Sequence, residues 1–311
     1  MNEQDTRPEG TSDARSNNDA SGQEIPPPAG KGRKSRKDRW IKGSFLAAVL
    51  IAAAIVYILQ LEGPKFPGWG KDLAGALERA KSENRPVLVY FVRSSSAEIV
   101  RRMARTTLAR PENLRAMKEA AFIKVKVETS ADSDLAKRYG LTKLPTMVVL
   151  SPEGKRCPTM KDFAGQFIGE VPFRSELLEP KFEGWLSNRQ NDFDEVLRKA
   201  RGEGLFVLAL FMGTTSSGET RRLAFVTLAD EAARKAIEKQ QFVRITVRIA
   251  DEKHPLAKRY QVVKFPTLLV ITPTGRQHSI QGFATAAKFL DFLAAATSQP
   301  ALAASQPAPS N

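Results

Sequence analysis

Few residues in this chain could make or break bonds. Cysteine occurs once, as Cys157, and histidine twice, as His254 and His278. Thiol–disulfide exchange needs a thiolate that attacks a disulfide sulfur, and one thiol cannot form the internal disulfide of a dithiol enzyme. In Lys155-Arg156-Cys157-Pro158 the cysteine reads as a small, partly buried hydrophobe. A chain with one cysteine also suits an oxidising compartment, because it cannot scramble internally. A serine nucleophile needs an adjacent base, and neither histidine stands at a spacing that suggests a triad or a metal site. The sequence therefore assigns no catalytic residue, no metal ligand and no cofactor.

The serines have a local reading. Ser95-Ser96-Ala97-Glu98 and Ser216-Ser217-Gly218-Glu219 fit the S-x-x-E capping box, in which the hydroxyl accepts from an early helix N–H and the Glu reaches back. Such a cap contributes about 1 kcal/mol. The alternative is an anion site at a helix N-terminus. Arg93 stands beside the first, and Arg101-Arg102 and Arg221-Arg222 follow a turn later.

The elements that must position these residues can be read from periodicity. Residues 72–81 carry Leu73, Leu77 and Ala80 on one helical face. Pro86-Val87-Leu88-Val89-Tyr90-Phe91 is a short apolar run of the buried-strand type. A helix from about Ser96, broken near Pro111, precedes the alternating strand 122–127 and a short helix at 133–139. A hairpin turning at Ser151-Pro152-Glu153-Gly154 and a last helix near 174–178 follow. The second half gives the same order: helix 192–203, strand 205–211, helix from Ser217, strand 242–248, helix 254–260, hairpin 267–281 and helix 284–295.

That order recurs because the sequence does. Pro64-Lys65-Phe66-Pro67-Gly68-Trp69 returns as Pro180-Lys181-Phe182-Glu183-Gly184-Trp185, and 136–155 returns as 257–276 with half of the paired positions identical. Self-similarity at a long fixed period marks a duplicated unit, and units of this size can each bury a core. A β-α-β half followed by a β-β-α half gives a mixed central sheet with flanking helices. Trp69 and Trp185, in matched contexts, are expected to staple the first helix of each copy to the sheet edge.

These residues carry a family resemblance. RPVLVYF, a short loop, a helix, and later Lys-Leu-Pro-Thr before a hairpin resemble a thioredoxin domain, more narrowly the group with F-T-G-S-D-W-C-x-x-C-K-K-L. Aligning FVRSSSAEIVRRM and FMGTTSSGETRRL on that pattern places the lost cysteines at Ala97 and Val100 in the first copy and at Ser217 and Thr220 in the second. The fold class implied is α/β, tandem thioredoxin-like domains at 64–179 and 180–296, with no thiol–disulfide oxidoreductase activity. The resemblance also implies cis peptide bonds at Leu144-Pro145 and Phe265-Pro266, in loops that pair with an extended substrate chain in the relatives. Here the prolines serve either as an inherited turn or as an edge that still binds peptide by strand addition.

The ends read differently. Residues 1–43 are polar and contain Pro26-Pro27-Pro28, a composition that cannot offset the entropy of ordering, and 297–311 is a similar tail. A basic cluster from Lys31 to Lys42 precedes an uncharged apolar run within 44–61, long enough to span a bilayer. It is expected to be an uncleaved single-pass anchor, and the positive-inside rule leaves the N-terminus cytoplasmic and both copies extracytoplasmic. The net charge of +14 belongs mostly to the folded part, because acids nearly cancel bases in 1–43. Such a surface suits phospholipid head groups, acidic glycans or acidic proteins, with no nucleic-acid signature.

The expected function is binding or scaffolding of protein or peptide partners at a membrane. The competing classes are a thioredoxin-family enzyme using non-dithiol chemistry, and an envelope protein binding anionic polymers.

Overall fold

The computed structural model describes residues 47–55, 66–94, 97–189 and 191–298. The expected leader 1–43 and residues 299–311 of the tail lie outside them. Helix α1 covers 47–55 with its side chains exposed, and the rest of the expected 44–61 span also lies outside. Among the described residues, no helix is long and apolar enough to cross a membrane. Residues 66–298 belong to one compact unit, and α1 is assigned to another.

Within 66–298 the first helix, α2 (Leu73–Glu83), starts where Asp72 accepts from the N–H groups of Ala74 and Gly75 at 2.9 and 3.1 Å. It buries Ala76 and Ala80 and ends on Asn84, whose left-handed backbone (φ 52°) turns its N–H onto the Ala80 carbonyl. Strand β1 (Val87–Val92) is buried at every position. Then come α3 (Glu98–Arg102), α4 (Pro111–Glu119), β2 (Ile123–Glu128), α5 (Asp134–Arg138), β3 (Thr146–Leu150) and the short α6 (Glu170–Pro172). The second half runs β4 (Leu186–Ser187), α7 (Phe193–Gly202), β5 (Val207–Met212), α8 (Gly218–Arg222), α9 (Glu231–Lys239), β6 (Val243–Arg248), α10 (Pro255–Arg259), β7 (Thr267–Ile271), β8 (Gln277–Gln281) and α11 (Ala286–Thr297). Helices α3, α6 and α8 each continue into a π-helical turn, in which Leu108, Leu178 and Leu228 donate to carbonyls five residues back.

The first sheet has the order β2-β1-β3 and the second β4-β6-β5-β7-β8. Their centres share one register: Val87 faces Ile123 in parallel and Leu150 antiparallel, and Val207 faces Val243 and Ile271 in the same way. The halves differ at the hairpin. In the second half β7 and β8 pair over five residues, whereas in the first the return strand reduces to a bridge between Leu150 and Arg156. Past Cys157 the chain meets Pro158, which lacks an N–H, and turns away to pair with the segment joining the halves. Lys181 N–H donates to the Pro158 carbonyl at 3.2 Å, and Thr159 bridges Pro180.

Each sheet carries apolar side chains on both faces. Val87, Val89 and Phe91 face α2 and α5, and Leu88, Tyr90 and Val92 face α3 and α4. The tryptophans depart from expectation. Trp69 packs beside Phe66 and Tyr90 on the face opposite α2, and Trp185 joins Phe182 on the face opposite α7. The reason is a turn, closed by Trp69 N–H on Phe66 O and by Trp185 N–H on Phe182 O, that aims the indole across the sheet edge. Nor does each half enclose its core alone. Phe225, from the π-helical turn after α8, is buried in the first half's cluster with its ring 6.0 Å from Phe122. Burying one such side chain stabilises the seam between halves by ~2–3 kcal/mol.

Candidate functional site

The site residues sit where a β-strand hands over to a helix, β1 to α3 and β5 to α8. In the first half Ala97 is the N-cap of α3 and supplies no side-chain cap; Val100 is buried one turn later. Ser95 and Ser96 lie outside the described residues. Glu98 pairs with Arg101 at 2.7 Å on the helix surface, an exposed contact worth well under 1 kcal/mol.

In the second half the cap forms one residue later than the S-x-x-E pattern suggests. Ser217 is the N-cap, and its Oγ accepts from Thr220 N–H at 3.1 Å. Glu219 instead reaches Lys264 at 2.9 Å and accepts from Phe283 N–H at 3.2 Å. Ser216, the expected cap, is drawn out of that role by a carboxylate from the first half. Its Oγ and N–H donate to Glu179 at 2.8 and 3.3 Å.

That contact is part of a seam covering the second helix start. Arg248 donates to Glu179 at 2.7 Å, and both side chains are largely out of solvent. Arg221 Nε donates to the Leu178 carbonyl at 2.9 Å, and burial pulls the basicity of its guanidinium down, opposed by the Glu179 charge. Gly218 lies so close to Glu119 that an added Cβ would sit 2.5 Å from its backbone carbon. Thr220 is buried and Ser217 remains exposed. Of the two positions expected to replace cysteines in this half, Thr220 is sealed by packing.

Leu144-Pro145 and Phe265-Pro266 are both cis. The proline carbonyls are used internally, accepting from Gly165 and Gly282 N–H. Among the described residues no group pairs with the main-chain N–H or C=O of Leu144 or Phe265. Their side chains do not share a cluster with Ala97 and Val100. Leu144 packs against the cluster on the α2 face of the first sheet and Phe265 against the cluster on the α7 face of the second, whereas Ala97 and Val100 belong to the cluster on the other face of β1. Above α3 and α8, Arg102 stacks on Phe167 at 4.1 Å and Arg222 on Phe283 at 4.0 Å. These repeated cation–π pairs tie each helix to the loop beyond its last strand.

Cys157 is buried, with its thiol donating weakly to the Phe225 carbonyl at 3.6 Å. Burial, and secondarily the Glu153 charge, pushes this thiol well above the usual range, so it is not a thiolate nucleophile at neutral pH. His254 Nδ1 caps α10 by accepting from Leu256 N–H at 3.2 Å, and His278 Nε2 is buried without a partner among the described residues. Among those residues no three His, Cys, Asp or Glu side chains are placed to hold a metal ion.

Glu179, Arg248 and Gly218 are the residues that sequence reasoning missed. One signal was available: when residues 211–223 are aligned on 91–103, Gly218 stands opposite Glu98. A glycine inside a helix start marks either entropy lost for nothing or a close approach, and here it is a close approach.

Residues 193–297 match the sequence family described as a thioredoxin-like domain. No curated protein matches the chain. Among solved structures, the reduced C-terminal domain of Neisseria meningitidis DsbD is 18% identical, covering 35% of this chain and 96% of its own, with a TM-score of 0.30. A thioredoxin from Thermus thermophilus is 20% identical over 35% of this chain and 84% of its own, with a TM-score of 0.27. The zinc-bound form of human ERp44 is 13% identical over 72% of this chain and 56% of its own, with a TM-score of 0.31.

Proposed function

The chain carries a thioredoxin-like domain at 193–297, and on that premise we propose a protein that binds extended polypeptide in place of exchanging disulfides. In this reading residues 64–179 are a second copy of the same domain. The observation that carries it is the open main chain of Leu144 and Phe265, which has no hydrogen-bond partner among the described residues. An open N–H and C=O at a sheet end gain most from pairing with another strand. Chemistry has no matching resource: Ala97, Val100, Ser217 and Thr220 carry no sulfur, and Cys157 is buried and protonated. The apolar run within 44–61, behind its basic cluster, would hold the chain on a membrane as a single-pass anchor with the copies outside the cytoplasm. Binding there would make it a scaffold for partner chains.

The test is hydrogen exchange on the full chain with and without a reduced, carboxymethylated unfolded protein. The Leu144 and Phe265 amides should exchange fast in the free chain and slow when the client binds. Client binding with both amides unchanged would move the site elsewhere, and no client binding would overturn the function. Turnover of insulin disulfides would sink the redox-inactive reading separately.

A further inference from the structure

A second feature lies past the other end of β3 from Leu144. Between the halves opens a cleft of about 720 Å³, within the ~300–1,000 Å³ range of ligand sites. One wall is the Lys155–Thr159 turn, the second is the joining segment Pro180–Trp185, and the third is α9 with Arg244 from β6. Its floor includes Leu228 and Ile237, and Phe182 and Trp185 line one side with their rings 5.8 Å apart.

The charges on these walls are unequal in their partners. Arg156 is paired with Asp162 at 2.9 Å, Lys181 with Glu183 at 3.5 Å, and Lys155 with Glu231. Arg234 and Arg244 have no ion pair among the described residues; Glu238 on the same walls has none either, but its charge acts on Lys235. Arg244 is half-buried, lying over Gly184 so that a Cβ there would be 3.0 Å from its guanidinium nitrogen. A partly desolvated guanidinium without an acid is held at a cost that an arriving carboxylate removes, and its planar fork suits a carboxylate in two-point contact.

We propose that this cleft binds an acidic peptide segment, with carboxylates on Arg234 and Arg244 and an apolar side chain against Trp185. Size favours a peptide over a small anion. The volume is more than twenty times the roughly 30 Å³ share of one water, so a lone phosphate would leave most of it unfilled. The apolar floor would gain nothing from such an ion. The proposal does not rest on the open main chain of Leu144 and Phe265.

The experiment is fluorescence anisotropy on the full chain with a labelled hexapeptide of alternating Glu and Phe. Its comparison is the peptide with Lys in place of Glu, and pyrophosphate is the competitor. Saturable binding of the Glu peptide is expected, weakened at least tenfold (about 1.4 kcal/mol) in the Arg234→Gln/Arg244→Gln variant. Arg234 is exposed, so Arg234→Gln alone should fold and still show a weaker affinity if the double variant is unstable. No saturable binding, equal binding of the Lys peptide, or wild-type affinity in Arg234→Gln would overturn the proposal. Displacement by pyrophosphate at concentrations equal to the peptide would make it a small-anion site and overturn it as well.

Discussion

Glu179 and Arg248, 69 residues apart in the chain, meet at 2.7 Å and join the two halves through a largely buried ion pair. Ser216 satisfies both carboxylate oxygens of Glu179, so the pair is hydrogen-bonded as well as neutralised. Removing one member leaves a buried charge without its partner, which destabilises by about 3–5 kcal/mol. Glu179→Ala should therefore lose about 3 kcal/mol in urea unfolding followed by circular dichroism. Glu179→Ala/Arg248→Ala should lose less than the sum of the single changes. Additive losses would mean that the pair is not coupled across the seam.

Gly218 makes an unusually sharp steric prediction. In an open helix, glycine to alanine stabilises by roughly 0.5–1 kcal/mol. Here the added Cβ would lie 2.5 Å from the Glu119 backbone, and overpacking of this kind destabilises by ~1–3 kcal/mol. Gly218→Ala should lower the melting temperature, and Glu98→Ala at the aligned position should barely move it. A Gly218→Ala variant that melts higher would show the seam to be loose.

The Cys157 thiol is held protonated in the folded chain by burial. In the unfolded chain it ionises near its ordinary value of about 8.5. Folding is thus favoured by this group fully below about pH 8.5, and that contribution is lost as pH rises above it. Chemical denaturation at pH 7 and pH 10 should show a fall in stability that is smaller in Cys157→Ser. A thiol reagent at pH 8 should react at the rate of unfolding; fast labelling of folded protein would contradict the burial.

The cation–π pairs can be compared across the halves. Arg222 carries both a ring contact with Phe283 and a bond to the Asn84 carbonyl at 3.4 Å, whereas Arg102 has its ring contact with Phe167. Substituting Arg102 by Lys should cost about 0.5–1 kcal/mol, because the planar stacking is lost while the charge remains. Thermal melts of Arg102→Lys and Arg222→Lys should rank Arg222→Lys as the more destabilising, and the reverse order would assign the larger role to the first half.

The membrane reading has its own check. A reporter active only outside the cytoplasm, fused after Asn311, should be active, and reversing the basic cluster between Lys31 and Lys42 to acidic residues should weaken or invert insertion. An inactive reporter on an expressed, membrane-bound fusion would remove both the anchor orientation and the compartment.

Much of the fold was local enough to be legible in the sequence. The apolar runs at 87–92 and 207–212, the amphipathic helices beginning near 72 and 192 and the matched Pro145 and Pro266 turns depend on periodicity and on residues within a few positions of each other. The absence of paired cysteines was equally legible, because a thiol is either in the chain or not. The neighbours of identical local strings were decided elsewhere. Arg101-Arg102 and Arg221-Arg222 read alike, yet Arg101 pairs with Glu98 on the surface while Arg221 is buried on the Leu178 carbonyl. Ser216 matched a cap and became a partner of Glu179; the cap fell to Ser217. Phe225 belongs to the second half of the chain and fills the core of the first. Each of these outcomes depends on contacts made across roughly 40 to 100 residues of chain, where burial and shape outweigh the ~1 kcal/mol scale of a local cap. Such contacts exist only once the two halves are docked, and no window of sequence contains both sides of that seam.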